Sequence, residues 1–195
     1  MKILAFTDIH AEDVFLKSIA KQAEKADILL CPGDFTIFME GFDKVIKAFI
    51  KLKKPVLLLH GNHEDEEEVD NLKKPHIIPI HKKPYVYKDY IFLGHGGGGF
   101  SFRDKELEKR MPQFKKQATK AKKVILITHA PPFGTELDYL PWAGHVGCKT
   151  INEAIKILKP QFYFCGHIHE SFGIQDKLGK TLMTNPGPEG MIIEI

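Results

Sequence analysis

The 195-residue chain has only three cysteines and one tryptophan, and only two of its 28 basic residues, Arg103 and Arg110, are arginines. Cys31, Cys148 and Cys165 are odd in number and widely spaced. That excludes a disulfide framework and a paired-cysteine zinc site, and it suits a reducing compartment. With so few arginines, and with lysines and acids interspersed, the formal net charge of +3 is weak ground for a stable nucleic-acid partner. The longest apolar runs, such as Ile3 to Phe6 and Val124 to Ile127, last about four residues, against the roughly 20 that cross a bilayer. No membrane partner is expected. The short apolar stretch after Lys2, closed by Asp8, does not make a secretory signal. A cytoplasmic location is the expectation.

What is present is an ordinary globular composition, 43% apolar and 27% charged. Residues 1–195 are read as one domain, long enough to bury roughly 70% of the surface of its unfolded chain without staples. No repeat, low-complexity tract or linker interrupts it. Ile3 to Phe6, Ile28 to Cys31 and Val56 to His60 read as buried strands. Between them Val14 to Ala26 and Phe42 to Leu52 space their apolar residues as amphipathic helices do. That alternation implies parallel pairing with right-handed crossovers. Short strands at Tyr85 to Tyr87 and Tyr90 to Gly94 follow, then a helix at about Asp104 to Lys122 and a strand at Val124 to Thr128. An irregular loop from Ala130 to Cys148 leads to a helix at Thr150 to Leu158 and a strand at Phe162 to Cys165. Apolar runs near Phe172 to Asp176, Thr181 to Thr184 and Met191 to Ile195 read as antiparallel strands, so the expected class is α/β with mixed sheets.

The residues just after the buried runs carry the chemistry. Asp8 and His10 follow the first run, Asp34 the second, and Asn62, His63 and Glu64 the third; His129 follows Val124 to Thr128, and His167 and His169 follow Phe162 to Cys165. In open α/β sheets ligands bind beyond the carboxyl ends of the strands, so these side chains should converge. A single Asp-x-His arises readily by chance, whereas five strand ends in succession do not. Asp8, His10, Asp34, Asn62, His129, His167 and His169 form an oxygen and nitrogen set without thiolate, larger than one ion uses. It points to two divalent ions of the Mn, Fe or Zn kind, with manganese favoured in vitro, sharing a carboxylate. Two dications leave positive charge beyond what two carboxylates cancel, which suits a phosphate group and an activated hydroxide.

In order and chemistry, Asp8-Ile9-His10, Gly33-Asp34, Gly61-Asn62-His63-Glu64, His129 and Gly166-His167-Ile168-His169 resemble the calcineurin-like metallophosphoesterase superfamily. The resemblance implies a four-layer α/β/β/α sandwich with two mixed β-sheets and a dinuclear centre. It implies one ion held by Asp8, His10 and His169, a second by Asn62, His129 and His167, Asp34 between them, and His63 as the acid facing substrate. Protein Ser/Thr phosphatases follow Gly-Asp with Asp-Arg-Gly; here Phe35, Thr36 and Ile37 stand instead, which lowers that reading. Pro131-Pro132-Phe133-Gly134, Asp138 and His145-Val146-Gly147-Cys148 look like the small stand-alone phosphodiesterases of the superfamily, including those acting on cyclic nucleotides.

The expected activity is therefore metal-dependent hydrolysis of small phosphate esters, diesters foremost. A phosphomonoesterase, a nuclease and a non-catalytic scaffold are the alternatives. Arg103 and His145 are candidate substrate contacts, beside Asn62. The six acids among Glu64 to Asp70 read as a solvated helical turn, the Gly96 to Gly99 run as a flexible loop, and His60, His76, His81 and His95 as packing or surface residues.

Overall fold

A computed structural model describes residues 1–195. The first half alternates β1 (Lys2–Ala5), α1 (Asp13–Ala23), β2 (Ile28–Cys31), α2 (Phe42–Lys51), β3 (Val56–Leu58), α3 (Glu66–Asp70) and β4 (Ile77–Pro79). Then come β5 (Tyr85–Tyr87), β6 (Tyr90–His95), α4 (Lys105–Ala118), β7 (Lys123–Thr128), β8 (Tyr139–Leu140) and β9 (Gly144–His145). The chain finishes with α5 (Lys149–Leu158), β10 (Phe162–Phe164), β11 (Gln175–Leu178), β12 (Thr181–Thr184) and β13 (Met191–Glu194). No helix is long and apolar enough to cross a membrane.

Two mixed sheets result, ordered β13-β1-β2-β3-β4 and β11-β12-β10-β7-β6-β5. The alternation of side chains along each strand divides the core into three. Leu4 and Phe6 face outward with Leu29 and Cys31, against Ile19 and Ala23 of α1 and Val45, Ile46 and Phe49 of α2. Ile3, Ala5, Ile28 and Leu30 face inward and meet Phe92, Ile125, Ile127 and Phe164 of the second sheet. Ile91, Leu93, Leu126 and Tyr163 pack on the far side against Leu107 and Phe114 of α4 and Ile151 and Ile155 of α5. Strands buried on both faces explain why the runs read as continuously apolar. The layers are helix, sheet, sheet, helix, as expected.

Three local readings are corrected. The tail is only partly antiparallel, because β12 pairs parallel with β10, and β13 crosses to the first sheet to pair with β1. The loop from Ala130 to Cys148 is not wholly irregular, since β8 and β9 form a small hairpin within it. Glu64 is buried rather than solvated, and its carboxylate is part of the site's framework.

Candidate metal centre

Strands β1, β2 and β3 run parallel, as do β7 and β10, so both sheets bring their carboxyl ends to one edge. There Asp8, His10 and His169 form one group, and Asp34, His129 and His167 another, each with ligand atoms within 4.8 Å of one another. In the first, His10 Nδ1 lies 3.0 Å from the Thr36 carbonyl. Donation there holds the ring and leaves Nε2 free to ligate. That Nε2 is 3.4 Å from His169 Nε2, which is 3.7 Å from Asp8 Oδ1. In the second, His129 Nε2 lies 3.3 Å from Asp34 Oδ2 and 3.0 Å from Asn62 Oδ1.

The backbone is bent to this purpose. Asp8, His10, Asp34 and His167 all have positive φ, between 46° and 72°, a region that non-glycine residues enter at a cost and that clusters at functional sites. Gly61 and Gly166 are needed for room: a Cβ at Gly61 would overlap Asp34 Oδ1, and one at Gly166 would overlap Thr7 Oγ1 and Asp8 Oδ2. Asp8 is fixed by Thr7 Oγ1, which donates to Oδ2 at 2.7 Å, and by the His167 N–H. Glu64 accepts the N–H groups of Asp34 (2.9 Å), Gly61 (2.8 Å) and Thr36 (2.8 Å), and the Thr36 hydroxyl (2.7 Å). One buried carboxylate thus ties the β2 and β3 loops together.

The residues fit a metal pair. Each group joins a buried carboxylate to two imidazoles with ligand atoms within 4.8 Å of one another, an oxygen and nitrogen donor set that suits divalent ions of the Mn, Fe or Zn kind. Burial works to raise the Asp34 pKa, but the adjoining His129 charge and hydrogen bond hold it well below the usual carboxylate range. Burial works to lower His129, and the charge of Asp34 pushes it up instead. This close anion–cation contact is the arrangement a cation would replace.

His63 stands beside the set without belonging to either group. Its N–H donates to Asp34 Oδ1 at 3.0 Å, and its Nε2 lies 3.8 Å from Asp34 Oδ2. The Phe38 N–H donates to His63 Nδ1 at 3.3 Å, so the neutral ring carries its proton on Nε2. Arg103 is not brought to the set: its guanidinium is engaged by Glu108 and Glu153 of α4 and α5. His145 Nδ1 pairs with buried Asp138 at 2.8 Å, and its ring packs on Phe133 and Tyr139.

Glu66, His81 and Glu106 also gather ligand atoms within 4.8 Å. There, however, His81 Nδ1 accepts the Gly96 N–H at 2.8 Å. The ring's proton must then sit on Nε2, the atom facing both glutamates, and Arg110 lies against the same ring. The ring is held by the Gly96 N–H and Arg110, with both glutamates beyond hydrogen-bond distance, so this is read as a structural cluster.

Comparisons with known proteins agree with the geometry. Over nearly its whole length, 99%, the chain is 30% identical to the uncharacterized protein MJ1162 of Methanocaldococcus jannaschii, of which the match covers 91%. The fold is shared with TT1561 of Thermus thermophilus (TM-score 0.76, 16% identity, 95% of this chain and 88% of that one). It is also shared with a dimetal phosphatase from Danio rerio (TM-score 0.64, 10% identity, 95% and 86%). The family model for calcineurin-like phosphoesterases matches residues 1–171, which contain every candidate ligand. The chain belongs to the calcineurin-like phosphoesterase family.

Proposed function

We propose that the chain hydrolyses small phosphate esters at a two-ion centre, and diesters in preference to monoesters. The observation that carries the reading is the meeting of two carboxylate–imidazole groups, Asp8/His10/His169 and Asp34/His129/His167, at one edge of both sheets. Asp8, His10 and His169 would hold one ion, and Asn62, His129 and His167 the other, with Asp34 shared between them. Bound there, divalent ions supply positive charge for the phosphate oxygens and acidify a water enough to make it a nucleophile near neutral pH.

The chain's own residues do the rest. Asp34 is oriented by the His63 N–H and by the Glu64-anchored loop. His63 presents Nε2 to the site; as a hydrogen-bond donor, and as a proton donor when the ring is charged, it serves the leaving oxygen. In this reading Asn62, whose Oδ1 lies beside His129 Nε2, serves both ion and substrate. His145, oriented by Asp138, is the further substrate contact in this reading.

The preference for diesters is supported by where the arginines are. Arg103 is held by Glu108 and Glu153, and Arg110 by His81 and His95. Neither guanidinium is available to match the second charge of a monoester dianion. The three cysteines are all free and buried, which supports a cytoplasmic setting.

The test is hydrolysis of bis-p-nitrophenyl phosphate and p-nitrophenyl phosphate with Mn, Fe, Zn and Mg in turn. Higher kcat/KM for the diester under the best metal is expected. The reverse order would make the chain a phosphomonoesterase, and no hydrolysis of either would contradict the enzyme reading.

A further inference from the structure

The site imidazoles carry a rim that ester hydrolysis itself does not use. Phe38 is 77% exposed and Phe100 65%, in a chain that buries Phe6, Phe35, Phe49, Phe92 and Phe164 completely. Large exposed apolar side chains beside a polar cleft mark binding surfaces. Each ring here lies against a site histidine: Phe38 against His63, with centroids 4.3 Å apart, and Phe100 against His167 at 4.7 Å. Phe172 stacks on His169, also at 4.7 Å. The three phenylalanines come from three separate loops.

The two exposed rings are held in place by their backbones. Phe38 and Met39 both have positive φ, 47° and 69°, an unfavourable region for bulky residues. Their turn is fastened to His63, since Phe38 N–H donates to Nδ1 and Met39 N–H to the His63 carbonyl at 3.0 Å. On the other side Gly97, Gly98 and Gly99 have φ of 72°, 100° and 119°, which glycine alone adopts freely. A Cβ at Gly98 would lie 3.0 Å from that of Ala130, and one at Gly99 would lie 3.8 Å from the His167 ring. The glycine run therefore lies flat along the ligand loops and delivers Phe100 over His167.

We propose that Phe38 and Phe100 are specificity residues that grip the non-leaving organic group of the substrate, and that this group carries a flat aromatic ring of the aryl or nucleobase kind. The inference rests on the phosphoesterase reading, which seats the phosphorus among the histidines and so puts the ester group at their rim. Aromatic faces at separate points around a small centre favour a rigid ring over a flexible chain, because a ring meets them through stacked or edge-to-face contacts with little ordering cost. With both arginines engaged elsewhere, the rim offers the ester group ring faces rather than guanidinium charge.

The experiment compares p-nitrophenyl benzyl phosphate with p-nitrophenyl cyclohexylmethyl phosphate on Mn-loaded protein. The leaving group is the same and the second ester differs only in its aromaticity. A kcat/KM about 10-fold higher for the benzyl ester is expected, in line with the worth of one stacked ring. In the Phe38→Leu/Phe100→Leu protein that ratio should fall to within about 2-fold of unity. A ratio near one in the unaltered protein, or one that survives the double substitution, would overturn the proposal. Release of nitrophenolate from neither ester would contradict the phosphoesterase reading instead. The rim is then decided by calorimetry with benzylphosphonate and cyclohexylmethylphosphonate, where equal affinities would overturn it and tighter benzyl binding lost in the variant would uphold it.

Discussion

The carboxylate of Glu64 accepts the backbone N–H of Asp34 at 2.9 Å, so a residue of the loop after β3 fixes the carboxylate that stands at the end of β2. Burial, and then the charge of Asp34, raise the pKa of Glu64, yet four donors converge on its two oxygens.

Glu64→Ala should strand buried N–H groups at Asp34, Thr36 and Gly61 and destabilise the protein by about 3 kcal/mol. Glu64→Gln should recover little of this, because each oxygen faces two donors and an amide NH2 can accept from neither. Denaturant unfolding checks both; a Gln variant as stable as the parent would show that the carboxylate is not the tie described.

His63→Ala should keep its ions and lose roughly 10² to 10⁴ in turnover, the usual worth of a proton donor. The loss should shrink for nitrophenolate, a leaving group that scarcely needs a proton. Metal analysis beside the kinetics separates the two roles, and an emptied site would make His63 a ligand.

Acid sensitivity should arise in part from His81. Its burial, with the adjoining Arg110 charge, lowers its pKa to about 2, whereas an unfolded chain takes up that proton near the ordinary 6.5. Below that pH the unfolded state binds more protons, so stability falls as pH drops from about 6.5, by up to about 1.4 kcal/mol per unit from this group. His81→Gln should flatten the profile between about pH 6.5 and 4. An unchanged slope, measured by urea unfolding across that range, would remove His81 from the cause.

The layers, and the gathering of the candidate ligands into two groups, were legible in the sequence because continuous apolar runs mark strands buried on both faces, and because each run is followed at once by a carboxylate, amide or imidazole. Ile77–Pro79 was missed: it is three residues long, ends in proline and forms a sheet edge. The pairing of β12 with β10 and of β13 with β1 is nonlocal, and no spacing in the tail encodes it. Glu64 looked solvated because it heads an acidic run; its burial depends on N–H groups of Asp34 and Thr36, about 30 residues earlier in the chain. Arg103 looked free to clamp phosphate because Glu153, which holds it, is 50 residues away.

With Asp34 shared between two ions, as proposed, its loss should empty both sites, whereas losing His10 should weaken one. Asp34→Ala protein should therefore retain fewer ions than His10→Ala protein after equal dialysis. Equal retention would place Asp34 in one site only.

The most direct measurement is the number of manganese ions bound per chain at saturation, by metal analysis after equilibrium dialysis. Two ions are expected, held by Asp8, His10 and His169 on one side and by Asn62, His129 and His167 on the other, with Asp34 common to both. A stoichiometry that never exceeds one would contradict the two-ion centre.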